Sequence, residues 1–296
     1  MRTLLSALLA LALTSGAVAE GATLHIACAA NFRSTLAQLA EQYQAERGQR
    51  VLISSGSTGA LYAQIVNGAR FDLLLAADTW RPQRLAEQGL ALESSLQTYA
   101  VGQLGLVSHS PLPASASAGT IRSLLGEDGA RVALANPDTA PYGSAARQAL
   151  QQLGLWTSSS GPAQSAADPH RTSAAPLAEN IEPTDAAVAR TVFASTIFAN
   201  IIFANNVAQA FQFFSTGNTE FALVGSAQWR RWQQQYPDRV WLVPATFHAP
   251  LSHGAVIVNR GQAAGLARDF LDYLLSDGAT AIIEAAGYQR PPGSRP

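Results

Sequence analysis

The sequence predicts an α/β protein folded as two lobes, and three observations predict it. Short apolar runs alternate with helical periodicity along most of the 296 residues. Hydrophobic residues make up 48% of the chain and charged ones only 13%, which supplies a sizeable core and excludes a disordered protein. A stretch rich in Pro, Ser and Ala from Ser110 to Gly119 breaks the alternation and marks the passage to a second lobe.

Met1-Arg2-Thr3, the apolar run Leu4 to Thr14 and the small-x-small Ala17-Val18-Ala19 form a secretory signal peptide over residues 1–19, so the mature chain starts at Glu20. The run falls well short of the roughly 20 residues that span a bilayer. Export without an anchor places a bacterial protein in the periplasm. Thr23 to Ala29 is the first strand, and Leu36, Leu39, Ala40 and Tyr43 recur at the spacing of a helix that Gly48 ends. Val51 to Ser54 is a strand, followed by a helix from Ala60 to Asn67-Gly68; Phe71 to Ala76 is a third strand, followed by a helix from Arg81 to Gln88.

Tyr99 to Ser108 reads as one long strand. Arg131 to Ala135 is another, with Pro141 to Ser144 a turn and Ala145 to Leu153 a helix. From Thr157 to Arg190 the pattern gives way to a polar insertion rich in Ser, Pro and Ala. A tandem repeat follows, Val192-Phe-Ala-Ser-Thr, Ile197-Phe-Ala-Asn-Ile and Ile202-Phe-Ala-Asn-Asn, whose period of five fits neither helix nor strand. Only the last copy is expected to serve the fold, because it leads into a helix from Val207 to Phe214. Thr219 to Val224, Arg239 to Val243 and Ala255 to Val258 are strands, the last returning to the first lobe, and two amphipathic helices, Ala263 to Leu275 and Gly278 to Ala286, close the chain.

Nineteen basic residues against twenty acidic ones leave a net charge of -1, too little positive field for nucleic acid. All nineteen are arginine, which removes a P-loop lysine and a pyridoxal Schiff base. The single cysteine, Cys28, lies in an apolar strand and reads as a small buried hydrophobe. Ser57 lacks the glycine two residues before it that a nucleophile elbow needs, and the five histidines show no metal-ligand spacing. No catalytic constellation stands out.

The positive signal lies at four places where a strand or loop runs into a helix: Ala30-Asn31, Gly56-Ser57-Thr58, Pro141-Tyr142-Gly143 and Asn205-Asn206-Val207. Each helix start leaves backbone N–H groups unpaired and carries partial positive charge, so four converging starts make an anion site without a charged side chain. Any one of them alone would be an ordinary helix cap.

In these residues the chain resembles the periplasmic molybdate-binding proteins that serve ABC importers. Ala29-Ala30-Asn31-Phe32, Ser54 to Leu61, Asn67-Gly68-Ala69 and Ala76-Ala77-Asp78 resemble the first lobe of that family. Pro141-Tyr142-Gly143, Asn206 to Ala210 and Thr216-Gly217-Asn218 resemble the second, and Ala267 to Leu271 with Gly287-Tyr288 resembles solute-binding proteins more broadly. The resemblance implies the two-lobed periplasmic solute-binding fold (type II), with two crossing strands and a ligand cleft between the lobes. Lobe 1 would take residues 20–100 and 248–296, and lobe 2 residues 101–247 with an atypical insertion at 157–201.

The implied function is high-affinity binding of molybdate or tungstate and delivery to the membrane permease of an ABC importer. A monomer with no cofactor, no cation site and no catalytic activity is expected. Carried over by position, the ligand contacts are Asn31 with the Ala30 backbone, Ser57, the Tyr142 backbone and the Val207 backbone. His253 stands where many members have a tyrosine near the returning strand; either it sits beside the anion as a protonated ring, or it is a neutral ring outside the cleft. A sulfate or phosphate carrier would use the same donors and differ in cavity size, and a secreted enzyme is a further alternative.

Overall fold

The computed structural model describes residues 23–127, 129–156 and 200–293. Residues 1–19, read as a signal segment, the stretch read as a polar insertion and the first copy of the repeat lie outside the described residues. Two five-stranded sheets organise the rest. The first holds β1 (Leu24–Ala29), β2 (Val51–Gly56), β3 (Leu73–Leu75), β4 (Gln97–Gly102) and β10 (Leu251–Ile257), in the order β2-β1-β3-β10-β4. The second holds β5 (Gly105–Ser108), β6 (Val132–Ala135), β7 (Ile201–Ala204), β8 (Phe221–Val224) and β9 (Val240–Leu242), in the order β7-β6-β8-β5-β9.

The two sheets share one plan. β1 pairs in parallel with β2 and β3, and β6 pairs in parallel with β7 and β8. An antiparallel strand, β10 or β5, then joins each parallel set to its outer strand. Each parallel set is wound by crossover helices. α1 (Arg33–Arg47) and α2 (Thr58–Val66) connect β1, β2 and β3, while α5 (Pro141–Gln152) and α6 (Val207–Ser215) occupy the equivalent places in the second sheet. α3 (Trp80–Glu87), α4 (Ala118–Leu125), α7 (Ser226–Gln235), α8 (Ala264–Leu274) and α9 (Asp277–Ala285) complete the layers.

Strand alternation explains why the first sheet is covered on both faces. Leu24, Ile26 and Cys28 pack with Leu36, Leu39 and Phe270 on one side, while Ala27 between them packs with Leu61, Ile65 and Val256 on the other. Leu36 and Leu39 are fully buried, each contributing about 1.5–3 kcal/mol from removal of apolar surface from water. Cys28 is fully buried as well, and burial pushes its thiol pKa up.

Four sequence readings need correction. The segment read as one strand from Tyr99 to Ser108 is two strands in different sheets, so the passage between lobes lies at Gln103-Leu104 and both Val101 and Gly102 belong to the first sheet. Pro141 to Ser144 is no turn but the first turn of α5, where the missing proline N–H costs nothing. Ile201 belongs to β7 rather than to the insertion, and the last repeat copy supplies the remainder of that strand. Helices α4 and α7 were not expected.

Candidate functional site

Because the two sheets share a plan, the helices after β1, β2, β6 and β7 start at equivalent places, at the carboxyl ends of parallel strands. Open α/β sheets bind ligands there. The two sets of helix starts face each other across a small cleft between the lobes. Its walls include Ala30, Asn31, Ser57 and Thr58 from the first lobe and Pro141, Tyr142, Asn206 and Val207 from the second. Apart from the Tyr142 phenol no lining side chain is ionisable. Ala30, Asn31, Ser57, Tyr142 and Val207 are thus brought together, and His253 is not among the lining residues.

Each junction holds its donors differently. Ala30 N–H donates to the Gly56 carbonyl at 2.9 Å, which removes it as an anion donor and corrects the expectation for that backbone group. The N–H of Asn31 follows it and has no partner among the described residues. Ser57 caps α2, its Oγ accepting from Ala60 N–H at 3.3 Å, while its hydroxyl proton stays available to a ligand. Thr58 N–H opens α2 without a partner among the described residues, and Thr58 Oγ1 accepts from Ala77 N–H at 3.1 Å.

In the second lobe, Pro141 starts α5, so Tyr142 carries the first N–H of that helix and offers it toward the cleft wall. The Tyr142 ring is buried, its hydroxyl near Ser226 without a hydrogen bond of good geometry, and burial pushes its pKa up. Asn206 caps α6 by accepting from Gln209 N–H at 3.0 Å, and Gln209 Oε1 in turn accepts from Asn205 N–H at 2.7 Å. The reciprocal bonds fix the entry into α6 and leave Val207 N–H without a partner among the described residues.

A buried polar network backs Asn31. Its side-chain amide nitrogen donates to His253 Nε2 at 2.8 Å and to Tyr288 Oη at 3.1 Å, and its main-chain carbonyl accepts from Tyr288 Oη at 2.9 Å and Gln228 Nε2 at 3.4 Å. The Asn31 side-chain nitrogen and main-chain carbonyl are therefore both held in this buried network, which leaves the main-chain N–H as the group of Asn31 free for a ligand among the described residues. Since Asn31 can only donate through nitrogen, His253 Nε2 must accept, which puts the ring proton on Nδ1, facing the Ala100 carbonyl in poor geometry. Neither Tyr288 nor Gln228 was singled out as supporting Asn31. They lie 257 and 197 residues away from it in the chain, so no local spacing could have exposed the contact.

Of the two readings of His253, the geometry favours the neutral ring outside the cleft lining. The ring is fully buried, and burial pushes its pKa from the ordinary 6.5 down to about 3, with the Ala100 carbonyl opposing the shift. It stays neutral at the pH where a protonated ring beside an anion was considered. The sign for stability follows from linkage. Between about pH 6.5 and 3 the unfolded chain binds a proton there that the folded chain refuses, so this contribution is complete above 6.5 and is lost as pH falls. Urea melts of wild type and His253→Gln should diverge below pH 6.5, wild type losing about 1.4 kcal/mol more per pH unit. Parallel acid limbs would show that the ring titrates normally.

The sequence matches the family described as bacterial extracellular solute-binding protein over residues 24–289. It is 32% identical to the molybdate-binding protein ModA of Azotobacter vinelandii over 270 residues, covering 91% of each chain. It is 29% identical to the molybdate-binding protein ModA of Rhodobacter capsulatus over 97% of each chain. The solved structure of the Azotobacter vinelandii periplasmic molybdate-binding protein superimposes with a TM-score of 0.71 at 33% identity, covering 90% of this chain and 99% of that one. With its two wound sheets, a cleft walled by helix starts from both lobes and a match along nearly its whole described length, the chain belongs to the bacterial extracellular solute-binding protein family and is a homologue of the molybdate-binding proteins.

Proposed function

We propose that this protein binds one molybdate or tungstate dianion between its lobes and carries it, in the periplasm, to the membrane permease of an ABC importer. The observation that carries this reading is a cleft walled by the N-termini of α2, α5 and α6, the Ala30-Asn31 turn that leads into α1, and the Ser57 hydroxyl, with no lysine, arginine, aspartate or glutamate among the described residues that line it. Four charge-assisted hydrogen bonds at about 1.5–3 kcal/mol each amount to on the order of 6–12 kcal/mol, the range of dissociation constants from tens of micromolar to a few nanomolar. Homology to proteins named for molybdate supports the choice of ion, and the signal segment at residues 1–19 supports the compartment. Donors held on helix ends cannot shrink onto a smaller tetrahedron. The shorter bonds of sulfate should therefore leave some of its oxygens out of reach. The role is stoichiometric binding rather than turnover.

Isothermal titration of the mature protein with molybdate, tungstate, sulfate and phosphate tests this. One site per chain is expected, with sulfate and phosphate bound far more weakly. With His253 neutral and no other basic group in the walls, affinity should stay flat between about pH 6.5 and 8, in contrast to what a titrating histidine would give. Equal affinity for sulfate would make the protein a general oxyanion carrier.

A further inference from the structure

Two helices of this protein open in the same way. Ser57-Thr58-Gly59-Ala60 starts α2 and Ser276-Asp277-Gly278-Ala279 starts α9. In both, the serine Oγ accepts from the N–H three residues on at 3.3 Å, and the glycine is the second helical residue. Neither glycine has a positive φ, so the backbone does not demand glycine at either place, and alanine is the better helix former.

Their surroundings differ. A Cβ on Gly278 would have nothing within 4 Å, whereas one on Gly59 would lie 2.7 Å from the Thr139 carbonyl oxygen and 3.1 Å from Thr139 Cα. Gly59 N–H donates to that same carbonyl at 2.9 Å. Thr139 stands in the second lobe, in the loop that leads into α5, so this main-chain bond crosses from one lobe to the other beside the cleft. The Cβ could not escape sideways either. Arg81 Nη2 would be 3.2 Å from it, and Arg81 is held by its buried ion pair with Asp78 and by the Trp80 ring, 4.3 Å from the guanidinium carbon.

We propose that the Gly59 N–H and the Thr139 carbonyl form a latch that completes closure of the lobes over the bound oxyanion, and that Gly59 is a positioning residue retained for this close approach. The latch rests on the oxyanion-binding reading given above and adds to it the contact that holds the closed state. In the open protein the two groups part, and a methyl group at residue 59 meets no obstacle from the second lobe. Once the lobes close, the methyl would strike main-chain atoms that cannot swing aside.

The test compares Gly59→Ala with Gly278→Ala, which makes the same change at the same helical position away from the cleft. Ligand-free Gly59→Ala should melt at or above the wild-type temperature, because alanine favours the helix and the open lobes do not clash. Molybdate should leave it at least about tenfold faster than it leaves wild type, in stopped-flow chase experiments, with little change in association rate. Gly278→Ala should match wild type in both rates. A wild-type dissociation rate in Gly59→Ala would overturn the latch, and so would a lower melting temperature without ligand, since the clash would then be present in the open protein. If wild type itself failed to bind molybdate, the proposed function would fall and the latch with it.

Discussion

Ser57→Ala is expected to weaken molybdate binding by roughly 1.5–3 kcal/mol, a factor of about ten to a hundred or more, the cost of losing a hydroxyl donor to a charged partner. Ser57 is buried in the cleft wall, and its hydroxyl has two roles in the structure. The oxygen accepts from Ala60 N–H to cap α2, and the proton is left for the ligand. Removing the cap alone should cost about 0.5–2 kcal/mol of stability. Ser276→Ala separates the two roles, because Ser276 caps α9 with the same 3.3 Å geometry and lies outside the cleft lining. Both variants should lose stability in thermal melts, and only Ser57→Ala should lose affinity in titration calorimetry. Ser34→Ala, on the exposed face of α1, should do neither. Wild-type affinity in Ser57→Ala would reduce Ser57 to a helix cap.

Gly143→Ala should damage both stability and binding. Gly143 is the third residue of α5, directly after the Tyr142 N–H that faces the cleft. A Cβ there would run into the Ala135 carbonyl oxygen and lie 2.7 Å from that of Asn136, so main chain would have to move at the end of β6 or at the start of α5. Overpacking of this kind costs typically about 1–3 kcal/mol, and here both obstacles are backbone, which cannot rotate away. The shift would carry the Tyr142 N–H away from the position it shares with the other helix starts. We expect a melting temperature lower by several degrees and affinity reduced by about tenfold or more, read by calorimetry on the fraction that folds. An unchanged affinity would remove the α5 terminus from the donor set.

The four helix starts were legible because each is local: a small or capping residue at the end of an apolar run shows in a handful of positions. Homologous pattern and local signal agreed on Asn31, Ser57, Tyr142 and Val207, all of which line the cleft. What was not legible is non-local or lacks apolar contrast. Helix α7 buries Ser226, Gln228 and Trp229, a mostly polar inner face that gives no hydrophobic period. Helix α4 buries only Ile121 and Leu125 and hides behind a stretch rich in Ser and Ala. The break between β4 and β5 interrupts an otherwise apolar run only at Gly102-Gln103, so the pairing of each half with a different sheet is what reveals it. His253 was read as near the returning strand and lies within it, and the depth of its ring depends on Asn31, Tyr99, Tyr142 and Tyr288 packing around it from distant parts of the chain.

A crystal structure with tungstate, located by the anomalous scattering of tungsten, tests most directly whether helix starts form the site. The account predicts one tungsten atom per chain in the cleft, its oxygens within hydrogen-bond distance of the Ser57 hydroxyl and of backbone N–H groups at Asn31, Tyr142 and Val207, with no arginine or histidine side chain in contact. Tungsten elsewhere on the protein, or in the cleft but held by a cationic side chain, would contradict it.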